Sequence, residues 1–157
     1  MQKFLENLQE AEVILQAMDH LIYVTFPIVK DKKMLVKILE KTGEAAVLCI
    51  NSILQYDYLF RRVRIFASKD ENLRTFKEKC APRYGLNPRE VENLMKLLKI
   101  AEFHKKSPLE FTRENKIVIL SENMGHEIIT PEKVKEFVSA AKNLLSKAKF
   151  HMKTNYS

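Results

Sequence analysis

From Asp31 onward the chain runs more than thirty residues without a proline, and its apolar side chains return every three or four positions. The stripe is Leu35, Ile38, Leu39, Ala45, Ala46, Cys49, Ile53, Tyr56, Leu59, Phe60 and Val63. That period predicts one amphipathic helix, N-capped by Asp31 and ending near Arg64. At 1.5 Å per residue it would span roughly 50 Å, longer than a small domain is wide. A stripe of that length is covered only by other helices laid along it, so the expected fold is an all-α antiparallel bundle. Its one weak point is Gly43, which costs about 1 kcal/mol against Ala in a helix interior. A glycine there is expected to let a neighbouring helix approach closely or to permit a slight bend.

The flanking segments supply the partners. Phe4, Leu8, Ala11, Leu15 and Met18 form a stripe over residues 3–18. "LIYVTFPIV" follows, with Pro27 in its midst, and reads as a kink or an extended crossover pinned to the core. Ser68 or Asp70 opens a third helix that Pro82 ends, with Leu73, Phe76 and Cys80 inside. In "RYGLNPREV", Gly85 suits a left-handed cap, Asn87 and Glu90 form a capping box, and Pro88 fits the first turn of a fourth helix running to about Lys105. Thr130 and Pro131 start the last helix, whose inner face is Val134, Phe137, Val138, Ala141, Leu144, Leu145 and Ala148. Between these two, Lys116–Ser121 and Glu127–Thr130 alternate around "ENMG", which predicts a short β-hairpin before the last helix. The expectation is about five helices in one domain over residues 1–150, with 151–157 a frayed tail.

Several chemistries lack their residues. Three scattered glycines cannot build a phosphate loop, and no Glu-x-x-His sequence is present to hold a metal pair between helices. His20, His104, His126 and His151 lie in different elements, so no metal and no cofactor is expected. Glu40 and Glu44 sit one turn apart and read as solvated partners of Lys37 and Lys41 rather than an acid–base pair. Helical ribonucleases of the HEPN type carry an Arg followed four to six residues later by His, and no Arg here has such a His. Cys49 and Cys80 lie in apolar helical patterns and are expected as buried free thiols of a reducing compartment.

Charge is the remaining signal. The net charge is +7, and residues 61–116 hold fifteen Lys/Arg against eight Asp/Glu, while residues 1–60 come to −2 and 117–157 to +2. Such a segment favours polyanionic partners. The candidate anion or nucleic-acid contacts are Arg61, Arg62 and Arg64, then Arg83 and Tyr84, then His104, Lys105, Lys106, Arg113 and Lys116. They act together only if the end of the long helix, the 80s loop and the hairpin base converge. The first reading is therefore a non-catalytic binding module contacting RNA or a ribonucleoprotein through a basic end of the bundle. The alternative is a protein-interaction or homo-oligomerisation module without nucleic acid, and an enzyme of unrecognised type ranks third.

"MQKFLENLQE" carries Glu6 and Glu10 and lacks the apolar run of a secretory signal, and the longest uncharged runs fall short of the ~20 residues that span a bilayer. The expected location is cytoplasmic, with no membrane partner. The phrases "DHLIYVTFPIVKDKKMLVKIL", "TFKEKCAPRYGLNP" and "HKKSPLEFTRENKIVILSENM" together resemble a group of small archaeal proteins of similar length and no assigned activity. The resemblance covers most of the chain and implies an archaeal cytosolic protein. It transfers no site residue.

Overall fold

The computed structural model describes the backbone of residues 2–106, 109–113, 116–120 and 126–156, and side chains within 2–102 and 128–152. Among these residues it is a bundle of five helices with a small antiparallel sheet before the last. Helix α1 covers Lys3–His20 and carries on helically through Leu21–Thr25 and Phe26–Val29. Helix α2 is Lys32–Leu59, α3 is Lys69–Thr75 extended by Phe76–Cys80, α4 is Pro88–Lys106 and α5 is Pro131–Tyr156.

The long helix is the axis of the bundle, packing against α1, α4 and α5. Its start is capped as its sequence requires, the Lys33 N–H donating to Asp31 Oδ1 at 3.0 Å. The chain reverses at Lys30, so α1 returns antiparallel to α2. Ser52 accordingly donates to the Phe4 carbonyl at 2.6 Å, and Asn7 to Gln55 at 3.3 Å. Helix α5 lies antiparallel to α1, tied by Lys149–Glu12 and Lys142–Asp19 pairs at 2.9 Å each. Gly43 does the first of the two things expected of it: a Cβ there would stand 2.9 Å from Ala101 Cβ, so the missing side chain sets how closely α2 and α4 approach.

The local start signals all operate. Ser68 accepts from the Glu71 N–H, Thr130 from the Lys133 N–H at 3.1 Å, and Asn87 and Glu90 exchange the two bonds of a capping box at 2.8 and 2.9 Å. Glu90 also receives Lys147 and Asn143 from α5, so one carboxylate caps α4 and clamps it to the last helix. These bonds, the backbone one first, hold the Glu90 carboxyl below its usual range.

Three boundaries differ from the sequence expectation. The long helix ends at Leu59 instead of near Arg64. Arg61 takes a left-handed φ of 59°, the Arg62 N–H donates to the Asp57 carbonyl at 2.9 Å, and the Arg61 N–H to that of Tyr58 at 3.0 Å. This is a Schellman closure with arginine where glycine is usual. "LIYVTFPIV" is not an extended crossover: it stays helical to Val29, with its irregularity confined to one widened turn. Its first five residues form a π-helical turn in which the Phe26 N–H donates to the Leu21 carbonyl. Proline has no N–H and its ring crowds the carbonyl four residues back, so the wider turn just before Pro27 lets the helix pass it. The segment is also mostly exposed, with Ile22 its one fully buried residue. Finally, α5 continues through the stretch read as a frayed tail, and Met152 is buried beside Ser52.

The hairpin is present as β2 (Lys116–Leu120) and β3 (His126–Ile129), with Ile117 opposite Ile129. It gains a third strand, β1 (Leu109–Arg113), in the order β1-β2-β3. The Leu109-Glu110-Phe111-Thr112 alternation is itself a strand signal, which a reading of this stretch for its charge passes over. The "ENMG" turn lies outside the described residues. Ile129 is buried against the bundle while Ile128 is exposed, the alternation of a strand packed on one side.

By length and composition Lys3–Val29 is apolar enough to cross a membrane, with mean hydropathy 1.3 over an 18-residue window. In the bundle its inner face, from Phe4 to Ile22, is buried, yet only 17% of that window is covered. The outer face of α1 is left bare.

Candidate basic site around a buried aspartate

Position 57 lies seven residues beyond Ile50 and four beyond Ile53, on the buried face of α2. The sequence puts a carboxylate there, and its side chain is 0% exposed. Removing a charge from water costs several kcal/mol unless it is paired and hydrogen-bonded, so the surroundings of Asp57 are constrained. The partners come from the turn that closes α2 and from the 80s loop. Arg83 Nη1 donates to Oδ2 at 3.0 Å, the Tyr84 hydroxyl donates to Oδ1 at 3.1 Å, and Arg62 Nη1 lies 3.6 Å from Oδ1. The Cys80 thiol feels the same carboxylate, which adds to burial in raising its pKa.

A fourth segment completes the cluster. The His151 ring stacks on Tyr84 with centroids 4.0 Å apart, and its Nε2 lies 3.5 Å from Arg62 Nη1. A guanidinium only donates, so Nε2 is the acceptor and the ring is neutral in this arrangement. Burial, with smaller contributions from Arg62 and Arg83, pulls the His151 pKa below its usual value against the opposing pull of Asp57. Arg62 also lies over the Phe60 ring at 5.3 Å.

The electrostatics hold cations in place without activating a nucleophile. Burial first, and the Asp57 charge second, push the Cys80 thiol and the Tyr84 phenol well above their ordinary pKa values. Both stay protonated, and Tyr84 serves as a donor. Cys49 is pushed up to about 12 by burial alone. One carboxylate against two guanidinium groups leaves the cluster at +1. The Arg62 and Arg83 side chains remain 30% and 35% exposed, so neither is sealed inside the core as Asp57 is. Arg61 and Arg64 stand exposed on the same chain segment.

The candidate contacts thus divide. The end of α2 and the 80s loop do converge, bringing Arg62, Arg83 and Tyr84 together. Tyr84 is 5% exposed, so it is a core donor and offers no face to a base, which corrects its reading as an anion or nucleic-acid contact. His104, Lys105 and Lys106 fall in the last turn of α4, and Arg113 pairs with Lys116 in the β1–β2 register. The side chains of these five lie outside the described residues. Asp57, Cys80 and His151 were missed. The usable signal was Asp57 itself, a carboxylate at a core position of an apolar stripe.

Elsewhere, a groove of about 700 Å³ runs between α2, α3 and α4, floored by Gly43, Leu48 and Leu98 and edged by Glu10, Glu40 and Asp70. Its acidic edge disfavours anions. Glu44 on the same helix pairs with Lys41 at 3.3 Å, half of the pairing expected for Glu40 and Glu44. Among the described residues no group of His, Cys, Asp and Glu is placed to hold a metal ion. No family model matches the chain, and no curated protein matches it.

Proposed function

We propose that the protein is a cytoplasmic binding module for RNA, taking the phosphate backbone at the basic end where α2, the 80s loop and α5 meet. The observation that carries this reading is the anchoring of Arg62 and Arg83 to one buried carboxylate. Long flexible cations lose side-chain entropy when they bind, and arginines already fixed on one side lose less. The guanidinium fork matches phosphate oxygens, and Arg61 and Arg64 extend the charged surface beyond the pair. Nothing in the cluster supplies an activated nucleophile, which favours binding over catalysis at this site.

The test is fluorescence anisotropy with a labelled single-stranded RNA across a salt series. Three to four phosphate contacts correspond to a slope of about −2 to −3 in log K against log salt. Affinity should then fall roughly 20- to 60-fold between about 50 and about 200 mM salt. Arg64→Glu, at an exposed position, should weaken binding and flatten the slope. No binding at low salt, or binding indifferent to salt, refutes the proposal.

A further inference from the structure

We propose that the bare outer face of α1 is the interface between two copies of the chain, packed antiparallel about a two-fold axis near His20. A solvated helix face carries charge, and this one does not. From Glu12 to Val29 the only charged residues besides His20 are Glu12 and Asp19, and both are spent on α5, against Lys149 and Lys142 at 2.9 Å. What remains outward is Val13, Ala17, Val24 and Ile28, with Gln16 and His20 among them, while the neighbouring Tyr23 ring is covered by Lys135 of α5 at 5.4 Å. Ile28 is 80% exposed, and Val13, Tyr23 and Val24 are each about half exposed or more. Val13, Ala17 and His20 recur at four- and three-residue intervals on the α-helical side, and Val24 and Ile28 carry the exposed apolar surface on through and beyond the π turn.

The choice of a second copy follows from charge. The face begins with exposed Glu6 and Glu10 and ends in the exposed cluster Lys30 and Lys33. Glu10 and Lys30 each stand ten positions from His20, about 15 Å along the α-helical half and less on the side that passes through the π turn. An antiparallel pair centred there sets Glu10 against the partner's Lys30 twice, and sets Val13 near the partner's Pro27. A two-fold interface must be self-complementary in this sense. Small Ala17 and unbranched Gln16 near the centre permit close approach. A lipid surface fits less well, because Gln16, Ala17 and His20 interrupt the apolar face and its first turns are acidic.

Light scattering on the full chain at about 50 µM tests the idea and should give twice the monomer mass. Val24→Glu places two like charges in the seam and should weaken the dimer at least a hundredfold, while circular dichroism stays unchanged because Val24 is exposed. Glu10→Lys should weaken it about tenfold, and adding Lys30→Glu should restore it. A monomer at that concentration overturns the proposal. So does a dimer indifferent to Val24→Glu and Glu10→Lys, or a monomer that sediments with vesicles of anionic phospholipid.

Discussion

Replacing Asp57 by Asn keeps the shape of the side chain and removes its charge, which isolates what the buried carboxylate does. The Tyr84 hydroxyl can still donate to the amide oxygen. The amide nitrogen, however, would face Arg83 Nη1, donor against donor, where a 3.0 Å charge-assisted bond now sits. A hydrogen bond to a charged group contributes about 1.5–3 kcal/mol. Stripping a fully buried ion pair of one partner costs about 3–5 kcal/mol. That upper figure overstates the case here, since the two guanidinium groups are already a third exposed and can turn to water. The expected loss is about 2–3 kcal/mol, or roughly 5–10 °C in Tm for a domain of this length. Urea unfolding followed by circular dichroism measures it, and a double-mutant cycle with Arg83→Gln should show coupling of about 1 kcal/mol or more. The same variant separates positioning from bulk charge. Asp57→Asn raises net charge by one, so simple attraction would tighten RNA binding, whereas loss of the fixed arginine geometry should weaken it several-fold. A stability loss below about 0.5 kcal/mol, or tighter RNA binding, would refute the account of Asp57 as the organiser of this surface.

Arg61 holds a left-handed φ of 59°, so Arg61→Gly should stabilise the fold by about 0.5–1 kcal/mol, and thermal unfolding showing a loss would contradict the backbone argument. Gly43→Ala should destabilise by about 1–2 kcal/mol despite alanine's better helix propensity, because the new Cβ meets Ala101 at 2.9 Å; Ala101→Gly in the same chain should recover most of the loss. The lowered pKa of His151 means that the unfolded chain binds its proton more readily than the folded one. This contribution to stability is complete above the unfolded value near 6.5 and is lost as pH falls toward the folded value. Urea titrations at neutral and mildly acidic pH should therefore converge for the wild type and His151→Gln in their pH slope only if His151 is not the group responsible.

What the sequence made legible was local. A cap bonds an N–H two or three residues away, so Asp31, Ser68, Asn87 with Glu90, and Thr130 with Pro131 could be assigned from spacing alone. The stripes of α1, α2, α4 and α5 were equally readable, because burial repeats with the helical period. The site was not, since its groups are separated by up to 94 positions, from Asp57 to His151, and no periodicity relates them. Basic character marked Arg62 and Arg83 as candidates for outward binding. It could not show that both reach inward to the same carboxylate, nor that Tyr84 between them and the core is spoken for.

Pro27 and Pro82 stand in the same relation to a π turn: Leu21–Thr25 and Phe76–Cys80 each close with a bond across five residues, one position before the proline. A π turn holds one residue more than an α turn, so it rotates everything after it by about 100° relative to an unbroken α-helix. After Phe76–Cys80 the chain closes on itself through the Leu86 N–H to the Ala81 carbonyl, with Gly85 at a φ of 78°. Arg83 and Tyr84 fall between the widened turn and that closure, and both reach Asp57. The rotation therefore belongs to the site as much as the side chains do, and proline in this helix acts to aim two donors at a buried charge rather than merely to stop a helix.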